Sequence, residues 1–136
     1  MTDYLQFNYD ACEKSECDFI EAVAYHLFRR AFLPKKQLSI SFVDDNQMAT
    51  LNGTYRGKEQ TTDVLTFALF DDDLIGDILL SAVEVSKNAE IHEVSFTSEL
   101  TRVVAHSFAH LKGYDHDTDA DDRIMKEYED FLLKDL

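Results

Sequence analysis

Hydrophobic and polar positions change rhythm several times along the chain, and each change predicts an element. Residues 4–9 (Tyr-Leu-Gln-Phe-Asn-Tyr) alternate loosely and are rich in aromatics, which predicts a short strand. From Glu13 to Phe32 the apolar residues Ile20, Val23, Ala24, Leu27 and Phe28 recur in steps of three and four, the spacing of one helical face. Pro34 ends that helix, because the residue before a proline is pushed out of the α region. Gln37 to Val43 reads as a strand with Leu38, Ile40 and Phe42 on one face. Asp44 or Asp45 then caps a short helix reaching about Asn52, and a polar loop follows from Gly53 to Thr62. Val64 to Phe70 and Leu74 to Leu80 read as strands joined through Asp71-Asp72-Asp73 as a hairpin. Helices are predicted over about Ala82–Glu93, Ser98–Lys112 and Thr118–Lys134. The last opens with Thr118 and Asp121 in the spacing of a capping box, and Ile124, Met125, Tyr128, Phe131 and Leu132 form its apolar face. The order βαβαββααα predicts an α/β fold, a small mixed four-stranded sheet packed with about five helices, in one domain over residues 1–136.

Composition narrows the class. The 136 residues are 45% hydrophobic and 12% aromatic, enough to bury a core. No apolar run approaches the roughly 20 residues that span a bilayer, and Met1-Thr2-Asp3-Tyr4 lacks the basic and apolar regions of a secretory signal. Cys12 and Cys17, the only cysteines, read as reduced thiols. A cytoplasmic protein without membrane attachment is expected. The net charge of −14 is concentrated in the second half of the chain, in Asp71-Asp72-Asp73, in Asp115 to Asp122 and in the last helix. That balance excludes whole-surface binding of nucleic acid, which needs phosphate neutralisation, and no DNA partner is expected. A local basic groove stays open, because Arg29, Arg30, Lys35, Lys36, Arg56 and Lys58 all lie in the less acidic half. Taken singly, each of these is the ordinary charge of a solvated surface.

The chemistry is concentrated in His106-Ser-Phe-Ala-His110-Leu-Lys-Gly113-Tyr-Asp-His116. Leu100, Val103, Val104, Phe108 and Leu111 form the core stripe of the predicted helix, and His106 and His110 project from another face. An i, i+4 pair places two imidazoles one turn apart, close enough to share one metal ion. Gly113 suits the left-handed conformation that ends a helix, and the turn it makes can return His116 as a third ligand. Three nitrogens and an open fourth position make a catalytic, zincin-like zinc site, whereas structural sites are closed by four protein ligands. The spacing H-x-x-x-H-x-x-G-x-x-H is that of metzincin proteases, but the position after the first histidine, their general base, is Ser107. A metzincin protease is therefore excluded while the metal site stands. Asp115, adjacent to His116, is the nearest candidate for that general base and equally a candidate to orient His116. His26 and His92 lie outside the cluster and read as structural.

A second block, Asn52-Gly-Thr-Tyr55-Arg56-Gly-Lys-Glu-Gln-Thr-Thr62-Asp63-Val64-Leu65-Thr66-Phe67, joins a helix end, a loop and a strand. Asp63 is expected to anchor the loop through backbone N–H groups. Arg56, on the loop, offers a planar fork suited to bidentate phosphate contact. Beside a Lewis-acidic metal such a group would stabilise charge developing on a phosphate.

Together the two blocks resemble the YbeY family of bacterial endoribonucleases, also called rRNA maturation factors. The family signature H-G-x-x-H-x-x-G-Y-D-H is matched by His106, His110, Gly113, Tyr114, Asp115 and His116. Its upstream Y-R and T-D-V-L-S-F are matched by Tyr55, Arg56, Thr62, Asp63, Val64, Leu65 and Phe67, and its G-D-I by Gly76, Asp77 and Ile78. The resemblance runs from about Ser39 to the C-terminus. It implies an α/β sandwich, a zinc ion held by His106, His110 and His116, and Arg56 as the catalytic or substrate-positioning arginine. It also implies hydrolysis of single-stranded RNA in ribosomal RNA processing and ribosome quality control. Ser107 departs from the family glycine and is expected to narrow the site or contact the bound water; Ala109 replaces a larger apolar residue, and Thr61 a proline.

The expected mechanism has Zn²⁺ lowering the pKa of a water and polarising a phosphoryl oxygen, with Arg56 on the scissile phosphate. One alternative is a metallohydrolase of another phosphoester or amide. Another is a ribosome-binding assembly module with a structural metal, which predicts a fourth ligand from Asp115 or Asp117 and little turnover. The acidic last helix would face basic ribosomal proteins.

Overall fold

Parallel strands need a crossover connection, and the chain supplies helices for this purpose. A computed structural model describes residues 5–9, 14–31, 37–57, 60, 62–69 and 74–134. Strand β1 (Leu5–Tyr9) leads through helix α1 (Lys14–Ala31) to the parallel strand β2 (Gln37–Phe42), with Leu5 opposite Leu38 and Tyr9 opposite Phe42. Helix α2 (Asp45–Arg56) precedes β3 (Val64–Ala68), which pairs antiparallel with β4 (Leu74–Leu80). Strand β4 also pairs parallel with β2, so the sheet order is β1-β2-β4-β3. Helices α3 (Ala82–His92), α4 (Phe96–Leu111) and α5 (Asp119–Leu133) complete the predicted α/β arrangement of a mixed four-stranded sheet and five helices.

The core is built from the predicted stripes. Ile20, Val23, Ala24, Leu27 and Phe28 of α1, Leu38, Ile40 and Phe42 of β2, and Leu100, Val103, Val104, Phe108 and Leu111 of α4 are all buried. The apolar face of α5 is narrower than predicted. Met125 and Leu132 are buried, but Ile124 and Phe131 remain half exposed. Phe131 lies under the Arg30 guanidinium at 5.7 Å, and Arg30 Nη1 donates to its carbonyl oxygen at 2.7 Å. The ring therefore packs under a guanidinium instead of entering the core.

Helix ends are set by caps. Asp44, not Asp45, caps α2, in a reciprocal box with Gln47. Ser95 caps α4, which starts two residues before the predicted Ser98, and Thr118 caps α5. The largest correction concerns α2, predicted to stop near Asn52 but continuing to Arg56. Gly53 is carried inside the helix, and the next glycine, Gly57, takes the left-handed conformation at φ +74° that ends it. Strand β3 ends at Ala68, short of the predicted Phe70. Tyr4, Cys12, Pro34, Lys35, Lys36, Lys58, Thr61 and the Asp71-Asp72-Asp73 connection lie outside the described residues. Among the described residues no helix is long and apolar enough to cross a membrane.

Gly76 shows why one short motif tolerates no side chain. A Cβ built there would overlap the Phe67 carbonyl oxygen of β3 and press on Leu111 of α4 at 3.0 Å. The backbone of β3 cannot retreat without breaking its ladder with β4. Gly76→Ala is therefore expected to cost about 1–3 kcal/mol. Urea denaturation should show the midpoint falling at constant m-value.

Candidate metal centre

Helix α4 carries His106 and His110 on its half-buried flank, one turn apart. Its C-terminus closes as a Schellman motif. Gly113 sits at φ +98°, its N–H donates to His110 O at 3.0 Å, and the Tyr114 N–H donates to Ala109 O at 3.1 Å. This reversal brings His116 back over the helix. The His106 ring lies 4.6 Å from that of His110 and 5.8 Å from that of His116, and His110 and His116 are 5.5 Å apart. Tyr114 stacks on Tyr128 of α5 at 4.6 Å and ties the returning loop down. Burial, and then the neighbouring Tyr114, push the Tyr128 phenol up to about 12, so it stays neutral.

The three imidazoles can hold one ion. One ligand nitrogen from each lies within 4.8 Å of the others, and the His106 and His110 Nε2 atoms are 3.1 Å apart. Tetrahedral ligands about 2.1 Å from a zinc ion stand roughly 3.4 Å apart, so the donor set fits with little movement. His106 Nδ1 donates to Glu129 Oε2 of α5 at 2.9 Å, which leaves Nε2 as the lone-pair donor facing the other rings. Burial holds the His110 imidazole below its ordinary pKa, and the charges of His106 and His116 add to that, outweighing a backbone hydrogen bond at Tyr114 and the Glu129 charge. Its neutral form is the one a metal needs. Among the described residues no carboxylate joins the group. Asp115 does not orient His116: its Oδ1 accepts the Asp117 backbone N–H at 3.3 Å, and the orienting acid of the cluster is Glu129, acting on His106. Glu129→Gln is expected to weaken metal affinity about 10- to 100-fold, read by titration against a competing chelator.

The histidines form one wall of a cavity of about 610 Å³. Arg102, one turn before His106 on α4, forms part of the same wall. Its Nη2 donates to Glu99 Oε2 at 2.6 Å, and His92 Nδ1 meets Glu99 Oε1 at 2.9 Å. Burial works to raise the Glu99 carboxyl, but the hydrogen bonds and charges of Arg102 and His92 overcome it and leave the group below its ordinary pKa. A buried carboxylate thus holds a guanidinium at the cavity. His92 is structural, as expected, and His26 donates from Nε2 to Lys134 O at 3.2 Å, away from the cluster.

The second block borders the same cavity through Tyr55, Asp63 and Phe67. Asp63 is anchored by side chains rather than by the expected backbone N–H groups. Its Oδ1 accepts from the Thr62 hydroxyl at 3.4 Å and its Oδ2 from the Asn88 amide at 3.2 Å. Arg56 is the last residue of α2, next to Tyr55, so it is carried by a helix end and not by the loop. Ser107 does not narrow the site as expected but turns inward: it is fully buried, and its hydroxyl donates to Val103 O at 3.0 Å. Glu129, Arg102 and Glu99 are absent from the sequence-based candidates. A signal existed for Glu129, an acid on the apolar side of α5, four residues after Met125 and three before Leu132. Arg102 and Glu99 lie four and seven residues before His106, on the same helical face.

Residues 3–136 match the family model described as Endoribonuclease YbeY. The Endoribonuclease YbeY of Desulforamulus reducens is 34% identical over 135 residues, covering 91% of this chain and 88% of the relative. That of Clostridioides difficile is 34% identical over 143 residues, covering 98% and 91%. A Thermotoga maritima protein solved in solution superposes with a TM-score of 0.64 at 25% identity, over 95% of this chain and 89% of the other. The near-complete match to the family model, and relatives of this identity over most of both chains, establish that the chain belongs to the endoribonuclease YbeY family.

Proposed function

We propose that this protein is a zinc-dependent, single-strand-specific endoribonuclease that processes ribosomal RNA and serves ribosome quality control in the cytoplasm, as a single domain over residues 1–136. The observation that carries the reading is the convergence of His106, His110 and His116 on one wall of an open cavity, beside the Arg102 guanidinium. These three histidines would hold the ion. Zinc bound there supplies Lewis-acid polarisation of a phosphoryl oxygen and a water of lowered pKa. Glu129 keeps His106 in the tautomer that presents Nε2. Arg56 binds the scissile phosphate, and Arg102, held by Glu99, forms part of the same wall as the histidines. The acidic, exposed side of α5 faces basic ribosomal proteins when the substrate is delivered on the ribosome.

The alternative of a structural metal in an assembly module requires a closed, four-ligand site. The three-histidine group, with His116 exposed, favours an open one. The deciding experiment follows cleavage of a single-stranded RNA oligonucleotide by protein stripped with a chelator and then reloaded with zinc. Cleavage that is lost and restored, with the duplex form resistant, is the expected result. A 5′-phosphate at the new ends reports attack by water, and a cyclic phosphate reports attack by the 2′-OH. Zinc retention without cleavage of any RNA overturns the enzymatic reading.

A further inference from the structure

Tyr55 is an aromatic residue where a solvated helix end would normally carry a polar one. It lies in the last turn of α2 and is 63% exposed, yet its ring is not loose. It meets Phe67 of β3 with ring centroids 4.8 Å apart at 61°, an edge contact. Both rings border the same cavity as the three histidines. An edge contact occupies at most one face of each ring, and Tyr55 keeps most of its surface open beside the cavity. Phe67 is held from behind, since its strand is locked to β4 opposite Asp77 and cannot move away. The cavity, at about 610 Å³, has room for more than a phosphate group. Thr62 and Thr66 also line it.

Single-stranded nucleic acids are held in part by aromatic side chains on which bases stack, because every base has a π-face to offer. A base in a duplex is stacked on both sides and has none free. We propose that Tyr55, backed by Phe67, is a stacking subsite for one nucleobase flanking the scissile phosphate, and that it is the source of single-strand selectivity. This subsite rests on the RNA-cleaving reading of the histidine site. Selectivity then arises at the base, and sequence preference there is weak because stacking is tolerant of base identity.

The test compares zinc-loaded wild type with Tyr55→Phe, Tyr55→Leu and Tyr55→Ala. The substrates are a short single-stranded RNA and the same RNA with one abasic nucleotide on either side of the cleaved bond. Tyr55→Ala and Tyr55→Leu should raise KM about tenfold, within the range for one stacked base, while kcat changes little. Tyr55→Phe should stay within about twofold of wild type, because the ring and not the hydroxyl is used. The abasic position that removes the stacked base should raise KM for wild type by the same factor and leave Tyr55→Ala unaffected. An unchanged KM in Tyr55→Ala overturns the proposal, as does a Tyr55→Phe variant as weak as the alanine one, or an abasic penalty equal in both proteins. Wild type that cleaves nothing would overturn the RNA-cleaving role of the histidine site instead. The same four proteins and RNAs would then be compared by fluorescence anisotropy, where the identical pattern in Kd supports the subsite and its absence removes it.

Discussion

Replacing His110 with alanine is expected to abolish cleavage of single-stranded RNA while leaving the protein folded. Loss of a residue that only orients a ligand costs about 10- to 100-fold, so loss of a ligand itself should exceed about 100-fold. Zinc content should fall with activity. The fold should survive because His110 sits half-buried on the cavity wall, while the α4 core is made by Leu100, Val103, Val104, Phe108 and Leu111. The stability change without metal is expected within about 1 kcal/mol. Melting should be compared with and without zinc, since a metal that binds only the native state raises Tm by mass action. Wild type should gain Tm on adding zinc and the variant should not. A large loss of Tm without zinc, together with retained cleavage, would mean that the histidine is structural.

The elements were legible because their burial is one-sided. Ile20, Val23, Ala24, Leu27 and Phe28 mark α1, and Leu38, Ile40 and Phe42 mark β2, because each element presents one face to a shared core. The three histidines were legible because a helical step and a turn glycine bring them together locally, within eleven residues of chain. What the sequence did not yield depends on packing between distant segments. Glu129 reaches His106 across 23 positions, and only the docking of α5 on α4 makes that contact. The link from Arg102 through Glu99 to His92 depends on α3 folding back against α4. Glycine was the misleading residue: Gly53 and Gly57 look alike in sequence, but only the second adopts positive φ. Ser107 misled for a related reason. Its place between core residues at Val103, Val104 and Phe108 turns it inward, although it follows a candidate ligand directly.

Arg56→Ala should separate binding of the phosphate from binding of the metal. Cleavage is expected to fall by about 10²–10³-fold, the cost of removing one preorganised group that stabilises developing charge. Zinc content and the zinc-dependent rise in Tm should stay at wild-type levels, because no ligand is touched. Arg56→Lys restores a charge without the planar fork and should recover only part of the lost rate. The position explains why an arginine here can be specific. It is the last residue of α2, which Gly57 terminates sharply and whose preceding residue, Tyr55, borders the histidine cavity. A loop placement would spend binding energy on ordering the chain, whereas a capped helix end is ordered before substrate arrives. Arg102 cannot substitute for it. That guanidinium is committed to the buried Glu99 carboxylate at 2.6 Å, so its charge is largely neutralised where it stands. Cleavage by Arg56→Ala within about threefold of wild type would assign phosphate binding to another group. A parallel loss of zinc would instead mean that α2 helps to hold the metal wall in place.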